Sequence, residues 1–364
     1  MRLKYINLVI TTALFIGILS IFVSNTNIFA QEIITINGAG ATFPFPLIDN
    51  WRVEYQNVNP NVEINYQSIG SGGGVKQFTE KTVDFGATDA PLTISEAAKN
   101  PGAVHIPETI GSVVVAYNLP SIPDKGLKLT GEIIADIFLG KITKWNDPKI
   151  QELNQDKTLP SDDIIVVHRS DGSGTTFVWT DYLSSISPDW EKLVGKGKAV
   201  GWPVGIGAPG NEGVSNAIKG TQNTIGYIEL NYALTTNTPY AFVQNKEGNF
   251  VEPSVNSIME AVRAQATSLP SGDGVWTNIT LVNADGQNSY PIASFSYILL
   301  DKELTKNPNI SEQKAKTMID FLSWAITEGQ KTAQNLNYVP LPEEIVKLNQ
   351  ETLKSLTYNG NPLS

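Results

Sequence analysis

The sequence predicts an α/β fold with a largely parallel or mixed sheet, and three observations carry that reading. Short β-rich runs alternate with helical patterns along the chain. Three glycine-rich segments sit beside β-like sequence, and in open α/β sheets ligands bind where strands end in such loops. The 364 residues are 41% hydrophobic and 17% charged, apolar enough for real cores and for roughly two domains of ~150 residues.

In chain order, the first 30 residues stand apart from the fold. Arg2 and Lys4 precede the apolar run 8–23 (LVITTALFIGILSIFV), a polar stretch follows, and Ala30 stands before Gln31. This is the pattern of a secretory signal peptide. The run falls short of the ~20 residues of a membrane span, and an uncleaved N-terminal anchor is the alternative. Cleavage after Ala30 removes two cations and no acidic residue, so the formal net charge of −10 becomes more negative. Strands are then expected at Val62–Ser68 (VEINYQS), 112–117 (SVVVAY), 163–168 (DIIVVH) and 293–300 (ASFSYILL). Helical patterns occupy 132–139 (EIIADIFL), 312–328 and 343–356. In the second of these, Met318, Phe321, Leu322 and Ala325 recur at three- and four-residue spacing, with Ser311 as N-cap and Gly329 as stop.

Composition excludes several functions. There is no cysteine, so disulfides, thiolate metal sites, a cysteine nucleophile and a lipid-modified N-terminal cysteine are all absent. Two histidines, His105 and His168, argue against a histidine-rich metal centre, and no cofactor is expected. The acidic balance argues against nucleic acid, whose phosphates want a basic surface. Two Asn-x-Ser/Thr sequons, at Asn278 and Asn309, are candidate glycosylation sites in an exported chain, although the pattern is common enough that chance occurrence is the favoured reading.

The glycine-rich segments carry the chemistry. Asp171-Gly172-Ser173-Gly174-Thr175-Thr176 follows a strand directly and leads into the helical pattern TTFVWTDYLSSI. A helix N-terminus offers unpaired N–H groups and partial positive charge, which suits an anion. Ser173 and Thr175 add hydroxyls, and Arg169 adds a planar fork that Asp171 could orient. The same residues also make an ordinary turn and cap, and the segment alone favours neither reading. Gly70-Ser71-Gly72-Gly73-Gly74-Val75-Lys76 has the same strand–turn–helix character, but Val75 before Lys76 and Gln77 after it break any Walker A pattern. Thr42 and Phe43 lie just ahead of a helix starting near Pro46. Gly205 to Gly210 is a formal GxGxxG with Glu229 beyond it; Pro209 inside the motif and a poor helical continuation argue against a dinucleotide site. Asp89, in VDFGATDAP, caps a helix or a turn on the plain reading.

In order and with matching spacing, GAGATFPFP, YQSIGSGGGVKQF, VDFGATDAPL, IFLGKITKWNDPKI, HRSDGSGTTFVWTDYL and IGYIELNYA resemble the phosphate-binding proteins of high-affinity phosphate ABC transporters. The resemblance runs from about Ile36 to the C-terminal helix. It implies a two-lobed periplasmic-binding-protein-like clamp, each lobe a mixed sheet flanked by helices, joined by two hinge crossings. Residues 31–109 with 294–364 would form the first lobe, and 110–293 the second. Carried over by motif, Thr42, the Phe43 N–H and Ser71 would donate to phosphate from the first lobe. Arg169, oriented by Asp171, and Ser173, Gly174 and Thr175 would donate from the second, while Asp89 would accept a hydrogen bond from the ligand. Where some members have a second serine after Ser71, this chain has Gly72.

The resemblance further implies an exported, non-enzymatic protein in the periplasm or at the outer face of the cell membrane. It would be a monomer that binds inorganic phosphate and delivers it to a permease pair and an ATPase. A carboxylate beside an anion makes sense if the ligand carries a proton. Phosphate near neutral pH has a P–OH and sulfate has none, so Asp89 would repel sulfate. Three other readings compete: a phosphatase or phosphoryl transferase, a binder of another oxyanion, and a surface receptor or adhesin. The first lacks a cysteine nucleophile, a histidine cluster and an evident base for Ser71 or Ser173.

Overall fold

The computed structural model describes residues 32–265 and 269–363, so the signal peptide or anchor lies outside the described residues. Eight strands form the path of one large mixed sheet: β1 (Ile34–Gly40), β2 (Val62–Ser68), β3 (Phe85–Thr88), β4 (Ala103–Asn118), β5 (Ile165–Arg169), β6 (Ile206–Ala208), β7 (Thr224–Glu229) and β8 (Ile292–Asp301). Their order is β2-β1-β3-β8-β4-β7-β5-β6, and the short strand Leu281–Val282 pairs with β8.

The sheet has two halves that share β4. In one, β1 runs parallel to β2 and β3, and β8 returns antiparallel between β3 and β4. In the other, β7, β5 and β6 run parallel to one another, with β7 antiparallel to β4. β4 changes partner between Ser112, opposite β8, and Val113, opposite β7. Only its two end residues are less than fully buried, because it is covered on both faces. β2 at the edge instead alternates buried and exposed, with Val62 and Ile64 inward and Glu63 and Asn65 outward.

Helices leave the C-terminal ends of the parallel strands. α1 (Phe45–Val58) follows β1, α2 (Ser71–Thr79) follows β2, α3 (Gly174–Ile186) follows β5, and α4 (Gly210–Gly220) follows β6. α5 (Leu230–Thr236) follows β7 and is capped by the Glu229 side chain, which accepts from Asn231 N–H. Glu229 is thus a buried helix cap rather than a ribose ligand, in line with the rejected dinucleotide reading. The segment after Gly210 does form a helix, contrary to its expected poor continuation: Pro209 sits at the extended N-cap, where its missing N–H is no loss.

Other expectations need adjustment at their edges. The strand expected at 112–117 is the second half of the 16-residue β4. The helix expected to stop at Gly329 is α6 (Glu312–Ala325), capped as expected by Ser311, and ends a turn earlier at Ile326. Gly329 instead receives the Trp51 indole N–H on its carbonyl at 2.8 Å.

Candidate functional site

The glycine-rich loops converge from both halves of the sheet, each at the C-terminal end of a parallel strand. Gly70 turns the chain from β2 into α2 with φ of +83°, a conformation that favours glycine, and a Cβ there would lie 2.3 Å from Asp171 Oδ2. One residue after Ser71, Gly72 N–H donates to the Gly172 carbonyl at 2.7 Å, joining the two loops.

All nine residues singled out from the sequence lie in this region, and direct contacts link most of them. Arg169 is buried at the end of β5. Its Nε and Nη2 donate to Asp171 at 2.7 and 2.5 Å, a bidentate pair that fixes the guanidinium plane. One N–H of each terminal nitrogen is left beyond that pair and the 3.4 Å contact of Nη1 with Thr175. Burial opposes ionisation of Asp171, but the hydrogen bond and charge of Arg169 prevail and hold its carboxyl below the usual value. Ser173 caps α3 by accepting from Thr176 N–H at 3.0 Å. Thr42 Oγ1 accepts from Asn211 Nδ2 at 2.8 Å, and Thr175 Oγ1 accepts from the same amide at 3.1 Å.

These contacts share a polarity. The hydroxyls of Thr42, Ser173 and Thr175 each accept a protein hydrogen, so each keeps its own hydrogen to donate. The N–H groups of Phe43, Ser71, Gly174 and Thr175 have no protein acceptor among the described residues, the last three at the first turns of α2 and α3. Such a set of donors can surround an anion of several oxygens.

Asp89, directly after β3, is the exception in sign. It is 1% exposed and does not cap a turn: Ser296 Oγ lies 2.9 Å from its Oδ1, and Ser71 Oγ is 3.5 Å from its Oδ2. Burial raises its carboxyl to about 7, against the pull of Ser296, Arg169 and Ser71. Gly174 approaches Asp89 closely from the other half: a Cβ on it would lie 2.5 Å from both Asp89 Oδ2 and Ser71 Oγ.

Sequence reasoning missed three participants. Asn211 bridges Thr42 and Thr175, and Ser296 and Glu108 lie behind Asp89. Only Asn211 had a local signal, as the second residue of α4 after a glycine-rich strand end. His168 stacks on Trp202 with ring centroids 4.7 Å apart.

Residues 25–328 match the PBP superfamily domain. A protein of Pasteurella multocida (strain Pm70) named phosphate-binding protein PstS is 46% identical over 321 residues, covering 88% of this chain and 90% of its own length. One of the same name from Haemophilus influenzae (strain ATCC 51907 / DSM 11121 / KW20 / Rd) is 45% identical, covering 88% of this chain and 92% of its own. Among solved structures, a high affinity periplasmic phosphate-binding protein (PfluDING) bound with phosphate superposes with a TM-score of 0.69 at 19% identity, over 87% of this chain and 92% of that one. At that identity the likeness bears on the fold, a two-lobed mixed α/β architecture.

Proposed function

We propose that this chain, which belongs to the PBP superfamily and within it to the family of PstS phosphate-binding proteins, captures inorganic phosphate between two lobes for an ABC importer. The observation that carries this reading is the one acceptor among many donors. Thr42, the Phe43 N–H, Ser71, Arg169, Ser173, Gly174 and Thr175 donate to the phosphate oxygens, and Asp89 accepts from the P–OH. Asp171 holds Arg169 in plane. A dianion without a proton would leave the buried Asp89 carboxylate facing like charge, a strong ground for rejection.

The lobes are residues 31–109 with 294–364 and residues 110–293. The partner change within β4 at Ser112 and Val113 supports a chain crossing there. The chain acts as a monomer and carries no catalysis. It is exported, with the first 30 residues as signal or anchor, and it hands phosphate to a permease pair driven by an ATPase. Among the described residues no helix is long and apolar enough to cross a membrane.

The reading is tested by Arg169→Ala, measured as phosphate affinity on a folded, phosphate-stripped chain. Removal of a buried, charge-assisted donor is expected to weaken binding by about 3 kcal/mol, more than a hundredfold in Kd. An unaltered Kd would remove Arg169 from the site.

A further inference from the structure

Behind Asp89 the structure holds a feature that a simple binding role does not require. Ser296 Oγ lies 2.9 Å from Asp89 Oδ1 and 3.0 Å from Glu108 Oε1. A hydroxyl has one hydrogen, so it can donate to one of these carboxyls only. The other contact is favourable only if that carboxyl itself carries a proton and donates to the serine oxygen. One proton must therefore reside on this pair of carboxyls.

The surroundings decide which one. Asp89 faces the Arg169 guanidinium from β5 and the Ser71 hydroxyl from α2. Glu108 is 1% exposed, has no cation against it among the described residues, and leaves Oε2 without a partner. The other titratable groups near the two are Glu229, Tyr66, Tyr297 and Tyr338, none of them a cation. Burial, and the charge of Asp89, push the Glu108 carboxyl up to about 8 against the pull of Ser296.

The backbone sets Glu108 in that position. The β8–β4 register slips at Ser296/Tyr297, which pair with Thr109 and Pro107 and leave Glu108 as the extra residue of a bulge. Pro107, lacking an N–H, is compatible with a central strand because it sits at that bulge. Two buried amides tie down the bulge: Asn349 Nδ2 donates to the Pro107 carbonyl at 2.6 Å and Gln330 Nε2 to the Glu108 carbonyl at 3.0 Å.

We propose that Glu108 is a positioning residue for ligand specificity: it stays protonated, donates to Ser296, and so fixes the serine hydrogen on Asp89 and keeps Asp89 the acceptor for the ligand's proton. This role rests on the phosphate-binding reading above. A neutral Glu108 also spares the bound anion a second buried negative charge.

The test compares wild type, Glu108→Gln and Ser296→Ala, full-length and phosphate-stripped. Two quantities are read: phosphate Kd from about pH 6 to about pH 9.5 at fixed salt, and the infrared band of a protonated carboxyl. The amide of Glu108→Gln mimics the neutral acid at every pH. Wild type is expected to lose affinity relative to Glu108→Gln above pH ~8, by up to about tenfold per pH unit. The phosphate's own titration is common to both and cancels in the ratio. Burial also raises the carboxyls of Asp89 and Glu229, so the protonated-carboxyl band at pH ~7 should be as strong in Ser296→Ala as in wild type, where Glu108 remains, and weaker by one carboxyl in Glu108→Gln. Parallel pH profiles, or a band of equal strength in wild type and Glu108→Gln, would overturn the proposal while leaving phosphate binding intact. A folded chain that shows the band but binds no phosphate at any pH would overturn the functional reading, and the specificity role with it.

Discussion

Gly174→Ala is expected to abolish useful phosphate affinity in a chain that still folds. Gly174 is the first residue of α3 and its φ is not positive, so alanine suits the local backbone, and its helix propensity offsets part of the packing cost, so the chain should still fold. The obstacle lies across the cleft. The new methyl would come within 2.5 Å of Asp89 Oδ2 and Ser71 Oγ and 2.6 Å of Asp89 Cβ. A carboxylate tip could swing aside, but Cβ moves only with the backbone, so the loops must part. That separation would also stretch the Gly72–Gly172 hydrogen bond and misplace the free N–H groups of α3. Overpacking costs about 1–3 kcal/mol, and the lost ligand contacts add to it, so Kd should rise on the order of a hundredfold or more. Calorimetry beside a thermal melt checks this. An unchanged Kd would mean that the ligand does not sit between Gly174 and Asp89.

Asp89→Asn should change selectivity more than affinity. Asparagine keeps the shape, and its carbonyl can still accept a hydrogen bond, but it removes the charge that repels an unprotonated anion. A site that leaves a buried group unpaired rejects the analogue by about 10⁴-fold or more. With the neutral amide in place of that charge, phosphate should still bind, weakened about tenfold, while discrimination against sulfate falls by about a hundredfold or more. The measurement is the ratio of the two dissociation constants, and an unchanged ratio would sink the assigned role of Asp89.

The parts of the site legible in the sequence were those whose signal is local. A strand followed by glycine, serine or threonine and then a helix can be read within about ten residues, because the donors are the backbone of the turn itself. Thr42, Ser71, Ser173, Gly174 and Thr175 belong to that class, and so does Arg169 with Asp171 two residues on. Ser296 and Glu108 do not. Ser296 lies 207 residues from Asp89 and 188 from Glu108, and its hydroxyl in a run such as ASFSYILL looks like any strand residue. Glu108 matters only because a bulge turns it inward, and Pro107 and Gly111 also hid the first half of β4 from a search for continuous apolar runs. The helix after Gly210 was missed for a similar reason. Its glycines and asparagines lower local propensity, and burial of Val214 and Ile218 against the sheet stabilises it instead.

On the proposed reading, one buried carboxylate among many donors selects protonated oxyanions. Titration calorimetry of the phosphate-stripped chain with phosphate and then with sulfate, at equal pH and salt, tests it most directly. Tight one-to-one binding of phosphate, with sulfate giving no heat and no competition, is the expected result. Comparable binding of both anions would contradict the role of Asp89, and binding of neither by a folded sample would contradict phosphate capture itself.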